Sequence, residues 1–133
     1  MSVLITAFYA GLLGLLTLVL GGLVVRQRFR SQVGIGDGGD SRLSLAIRVH
    51  GNFIENVPLA LLLLLVAEMT AAPTLLLHGC GIALVVARLL HAFGLSRSAG
   101  TSPGRFVGTA TTWIVIAILA LVNLYHGSQA LFG

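Results

Sequence analysis

Four apolar runs, at about residues 3–25, 43–69, 74–95 and 106–125, constrain what this chain can fold into. Each is long enough to cross a bilayer as a helix, which takes about 20 residues. Lipid offers no water to satisfy a backbone N–H or C=O, so an open-ended spanning segment must bond its own backbone, and an α-helix does so. Only 9% of the 133 residues are charged, against about a quarter in a soluble domain, and the mean hydropathy is +1.00. The expectation is an all-α integral membrane four-helix bundle forming one domain over residues 1–133. The first run has no basic stretch before it and is too long for a signal peptide, so it reads as a retained spanning helix.

The net charge of +4 comes from eight arginines, without a lysine, set against Asp37, Asp40, Glu55 and Glu68. In a soluble chain this basicity would suggest nucleic acid. Here the arginines gather between apolar runs, and nucleic acid is not an expected partner. The first connection holds Arg26, Arg28, Arg30 and Arg42, the second, around TAAPT, holds none, and the third holds Arg97 and Arg105. The positive-inside rule then puts the first and third connections in the cytoplasm and both termini on the non-cytoplasmic side. Gly104 and Gly108 form a GxxxG spacing suited to close helix packing within the bundle. The lone Cys80 allows no intrachain disulfide and reads as a small core residue. GIGDGG, residues 34–39, fits the letters of a dinucleotide fingerprint. That motif needs a strand before it and a phosphate-friendly approach, whereas here a membrane helix precedes it and Asp37 is acidic. A flexible turn is expected instead.

One stretch concentrates polarity at the mouth of an apolar run: RVHGNFIENVP, residues 48–58. At 100° per residue, Arg48, Asn52 and Glu55 lie within about 60° of one another. His50 points the other way and reads as a packing residue, while Pro58 can free a carbonyl one turn back. On the third helix Arg88 and His91 come near the same end, flanked by Arg97, Arg105 and the arginines after the first run. Glu68 and His78 lie toward the uncharged connection and are expected to face water or headgroups. Arg48 or Arg88 paired with Glu55 would stitch two helices together. Yet one carboxylate cannot neutralise Arg48, Arg88, Arg97 and Arg105, and the excess invites an anionic ligand with more than one acidic group.

The pattern R-x-H-x-N-x-x-E-x-x-P on a second spanning helix resembles the MAPEG superfamily, membrane-associated proteins in eicosanoid and glutathione metabolism. With G-D-G-G in the first connection, A-I-R-x-H-G-N on helix two and A-R-L-x-H on helix three, the bacterial branch is the most similar. The resemblance implies a homotrimer in the bacterial inner membrane, with glutathione bound between subunits as co-substrate. Arg48, Asn52 and Glu55 would hold it, Glu55 taking the amino group, with Arg88 and His91 around the pocket and Arg30, or Arg26 or Arg28, closing it from a neighbouring subunit. Arg105, and after it Arg97, would stabilise the thiolate; no metal is expected. The implied activity is a glutathione-dependent transferase or peroxidase acting on hydrophobic electrophiles or lipid hydroperoxides, with membrane lipid and a hydrophobic small molecule as partners. The alternative is a non-catalytic protein binding glutathione or lipid in the same pocket. It rests on Leu95, where several active members carry tyrosine, and on Thr109, Thr111 and Thr112, where others carry tyrosine or serine. A small proton-coupled exporter would need an acidic residue in the first helix, which has none.

Overall fold

The computed structural model describes residues 2–93 and 102–133; Leu95 and Arg97 fall outside them. It contains α1 (Leu4–Ser31), α2 (Ser41–Met69), α3 (Thr74–Phe93) and α4 (Pro103–Phe132), and no strand among the described residues. All four helices are long and apolar enough to cross a membrane. α2 and α3 form the centre, each packed on every other helix, while α1 and α4 lie on opposite flanks. The buried positions of α2, from Leu43 through Val49, Phe53, Val57, Ala60 and Leu64 to Ala67, recur every three or four residues. That recurrence keeps one stripe inside, where it meets Leu13 and Leu20 of α1, Leu77 and Leu84 of α3, and Val115 and Leu119 of α4. The outward faces carry Leu15, Leu18, Trp113 and Leu121, all exposed. In a chain of this composition, such faces belong against lipid.

The helices run past the ends of the apolar runs. α1 continues to Ser31, so Arg26, Arg28 and Arg30 stand on its last turns rather than in a loop. These residues are good helix formers, and positive charge suits a helix C-terminus. α1 stops where Gln32 turns left-handed at φ 55 and returns its N–H to the Arg28 carbonyl. α2 opens on Asp40, whose side chain accepts from the Leu43 N–H at 2.9 Å, and α4 opens with Pro103 just after Ser102.

The glycine-rich turn between α1 and α2 is braced by hydrogen bonds. Gly36, Gly38 and Gly39 adopt φ of 68°, 57° and 78°, a region that L side chains avoid. A Cβ at Gly38 would also stand 2.6 Å from a methyl of Val33. Arg28 donates to the Gly36 carbonyl at 2.9 Å, and Arg30 bonds Asp40 at 2.6 Å. Asp37 accepts from the Gly39 N–H at 3.0 Å. That N–H, followed by the Ser44 side chain, holds the Asp37 carboxyl below the ordinary aspartate range. The Leu43 N–H, followed by Arg30, does the same for Asp40.

At the opposite end, Glu68 does not simply face water. Its two oxygens accept from the backbone N–H groups of Ile5 at 2.9 Å and Thr6 at 2.7 Å. α1 has no cap from its own sequence, so Glu68 supplies one from α2, 63 residues away. Tyr9, 4% exposed, meets Nδ1 of His78 at 3.0 Å. Gly81 makes this possible, because any side chain there would overlap the Tyr9 ring. α4 is tied to α2 at this end by His126, donating from Nδ1 to the Thr70 carbonyl at 2.8 Å, and by Asn123, donating to the Leu63 carbonyl at 2.9 Å. Cys80 is a buried free thiol in the core.

Candidate functional site

Between α2, α3 and the start of α4 lies an open cleft of about 820 Å³. α2 contributes Arg48, Asn52 and Glu55, one turn apart along a single face; α3 contributes His91; α4 contributes Arg105 and Thr109, with Ser102 at the rim. The volume falls within the ~300–1,000 Å³ of small-molecule sites. Arg48 and Glu55 are exposed, Asn52 and Arg105 half-buried, and His91 buried. The carboxyamide oxygen of Asn52 is buried without a partner, and so is Nδ1 of His91. A buried polar atom without a partner costs about 1–3 kcal/mol, so the wall carries unmet hydrogen-bonding capacity. Below Asn52, Asn56 donates to the Asn52 carbonyl at 2.8 Å and accepts from the Trp113 indole at 3.1 Å. This pair links α2 to α4 under the cleft. Pro58 has no N–H to offer the Ile54 carbonyl beside Glu55.

Close contact of α3 with α4 sets the remaining geometry. Gly108 lies where a Cβ would be 2.8 Å from the Cβ of His91, and Gly104 where one would be 2.9 Å from the Leu90 carbonyl oxygen. The GxxxG pair thus packs α4 onto α3, within one bundle as its spacing suggested. Behind the cleft, Arg88 is 1% exposed. Its guanidinium stands over the Phe53 ring, 5.5 Å from the centroid, and Nη1 donates to Thr112 Oγ1 at 3.5 Å. Thr112 in turn donates to the Gly108 carbonyl at 2.7 Å. Nε and Nη2 of Arg88 have no partner. Neither Arg48 nor Arg88 forms an ion pair with Glu55; among the described residues Arg30–Asp40 is the ion pair present.

Of the eight residues expected to form a site, five line this cleft: Arg48, Asn52, Glu55, His91 and Arg105. Arg88 stands behind its wall. Arg30 is not brought to it within one chain, because Arg30 is engaged by Asp40 and Gln27 at the α1–α2 turn. Arg97 lies outside the described residues. His50 faces α1 rather than the cleft, with Nε2 3.7 Å from where a Cβ on Gly21 would sit. Sequence reasoning missed Ser102 and the Asn56–Trp113 pair. The Ser-Pro step at a helix start was a legible signal for the first, and the four-residue spacing of Asn52 and Asn56 for the second.

Four spanning helices, a basic end and a polar cleft opening at that end define a multi-pass helical membrane protein. The MAPEG family profile matches residues 6–125. A protein named inner membrane protein YecN, from Escherichia coli strain K12, is 39% identical over 123 residues, covering 92% of this chain and 92% of that protein. The protein of the same name from Escherichia coli O6:H1, strain CFT073, matches to the same extent. The chain belongs to the MAPEG family, membrane proteins associated with glutathione and eicosanoid metabolism.

Proposed function

We propose that this protein is a glutathione-dependent transferase or peroxidase of a bacterial inner membrane, acting on hydrophobic electrophiles or lipid hydroperoxides. The observation that carries the reading is the cleft in which Arg48 and Arg105 stand with Glu55. Glutathione has two carboxylates and one ammonium; two guanidiniums and one carboxylate match that set in sign. Arg48 binds a carboxylate, Glu55 binds the ammonium, the open oxygen of Asn52 accepts a peptide N–H, and Arg105 is left for the thiol. Family membership supports a homotrimer whose neighbouring subunit covers the open side of the cleft, with the basic end in the cytoplasm.

The chemistry asked of the protein is modest. A free thiol with a pKa of about 8.5 is mostly protonated at neutral pH, and an adjacent guanidinium shifts it toward thiolate. Arg105 is the candidate for that role, and the thiol proton leaves to water. In transfer, the thiolate sulfur bonds an electrophilic carbon while the leaving group departs with the bonding pair. In reduction, sulfur attacks a hydroperoxide oxygen, the O–O bond breaks and an alcohol leaves. A second thiol then converts the sulfenic acid to disulfide and water.

The test is calorimetric titration of purified protein with glutathione, with thiolate absorbance read in parallel. Binding that falls about tenfold or more in Glu55→Gln, matching a lost charged hydrogen bond, is expected, with a thiolate signal that Arg105→Ala removes. Binding without thiolate would move the reading to a non-catalytic protein. A folded protein that binds no glutathione would end it.

A further inference from the structure

A second groove opens at the basic end of the bundle, on a different face of α2. It measures about 750 Å³ and lies between α1, α2 and α3. Leu45 borders both clefts, but Arg42 and Ala46 sit about 130° around α2 from the Arg48–Glu55 face. Its composition is graded along the helix axes. Leu23, Leu45 and Leu89 form the inner wall, Ala92 stands above Leu89, and Gln27 and Arg42 form the outer rim together with Phe93 at the end of α3. Gln27 is one turn beyond Leu23, and Arg42 one turn outside Ala46, so the polar rim lies about 6 Å above the apolar wall.

The rim is electropositive and unneutralised. Arg42 has no ion pair or side-chain hydrogen bond among the described residues, because the nearby carboxylates are engaged: Asp40 by Arg30 and the Leu43 N–H, and Asp37 by the Gly39 N–H. Gln27 accepts from Arg30 Nε through its oxygen at 2.6 Å, which leaves its amide N–H groups as donors. A cation and an amide donor on the water side of an apolar slot complement an amphiphile with an anionic head and an apolar tail. The slot opens on flanks that face lipid, since Leu89 and Val19 are exposed on α3 and α1.

We propose that this groove holds one anionic phospholipid, its headgroup phosphate on Arg42 and Gln27 and the upper part of one acyl chain against Leu23, Leu45 and Leu89. The lipid fills the seam between α1 and α3 beside Leu45 of α2, and it is a site separate from the Arg48–Glu55 cleft. A basic side chain near an anionic headgroup is worth about 1 kcal/mol, or about fivefold in affinity.

The experiment is native mass spectrometry of the full-length protein, titrated with dioleoyl phosphatidylglycerol and separately with dioleoyl phosphatidylcholine. Circular dichroism confirms that each variant is folded. The expected result is about fivefold tighter retention of phosphatidylglycerol, abolished in Arg42→Gln and kept in Arg26→Gln, whose exposed arginine does not line the groove. Ala92→Trp, which fills the slot without touching the rim charge, is expected to reduce phosphatidylglycerol retention as well. Equal retention of the two lipids, or a preference that survives Arg42→Gln, overturns the proposal. So does an Ala92→Trp protein that retains lipid normally but changes oligomeric state, because a second copy of the chain would then occupy the groove.

Discussion

Glu68→Ala removes both acceptors that hold the first turn of α1. The Ile5 and Thr6 N–H groups bond the two carboxylate oxygens at 2.9 and 2.7 Å, and no residue of α1's own sequence takes their place. The first N–H groups of any helix lack intrahelical partners, and losing a capping side chain costs about 0.5–2 kcal/mol. Two charge-assisted bonds at an end that water reaches should therefore cost about 2–4 kcal/mol together. Glu68→Gln keeps one oxygen acceptor and should lose about half as much. The assay is reversible unfolding in mixed detergent micelles, with amide hydrogen exchange followed at Ile5 and Thr6. Both amides should exchange faster in Glu68→Ala. Ligand binding at the cleft should stay as in the parent, because Glu55 lies about 20 Å from Glu68 along α2. If Glu68→Ala unfolds within about 0.5 kcal/mol of the parent with unchanged exchange, the distant cap contributes nothing and the account of α1 is wrong.

Gly108→Ala would set a methyl 2.8 Å from the Cβ of His91, and overpacking of this kind costs about 1–3 kcal/mol; thermal unfolding in detergent reads the loss. Gly11→Ala, with nothing within 4 Å of the added atom, should be neutral or stabilising by up to about 1 kcal/mol, and a similar loss at both sites would show that contact distance is not what matters. The α1–α2 turn should respond to acid. Asp37 and Asp40 titrate below the ordinary aspartate value in the folded chain, so the folded state binds protons more weakly than the unfolded one. Their stabilisation is complete above the unfolded value and is lost as pH falls through the folded one. Hydrogen exchange in residues 37–44 should therefore accelerate below that range in the parent, and less steeply in Asp40→Asn; parallel profiles would assign the acid response elsewhere.

The number and type of the helices were open to reading because lipid leaves a spanning segment few structures to adopt. The Arg48–Asn52–Glu55 face followed from helical periodicity alone, and its convergence with His91 and Arg105 followed from all of them lying near the same end. Helix ends were harder. Hydropathy falls at Arg26, but helix propensity does not, so α1 ran on to Ser31. The burial of Arg88 behind the cleft was not legible for a related reason: periodicity places a residue on a face, while the small Gly108 on α4 decides how closely that helix approaches α3. The role of Glu68 had no local signal, since its partners are backbone groups more than sixty residues away. The same holds for Arg30, whose engagement by Asp40 depends on three left-handed glycines in the turn.

The cleft descends along α2, and its depth has an electrostatic consequence. α2 has 29 residues, about 43 Å, so it exceeds a hydrocarbon slab of about 30 Å and part of it stands in the headgroup layer. Arg48 lies about 10 Å along the helix from its start and Glu55 about 21 Å, at the midpoint. The two charges are therefore stations on a steep dielectric gradient. Opposite charges 4 Å apart attract by about 1 kcal/mol where water governs and about 4 kcal/mol where the effective dielectric falls to about 20. A zwitterion entering such a shaft is sorted by depth: its cationic end gains most at the bottom, beside Glu55, and its anionic groups stay near the rim with the arginines. The bilayer itself thus becomes an orienting device for whatever the protein binds.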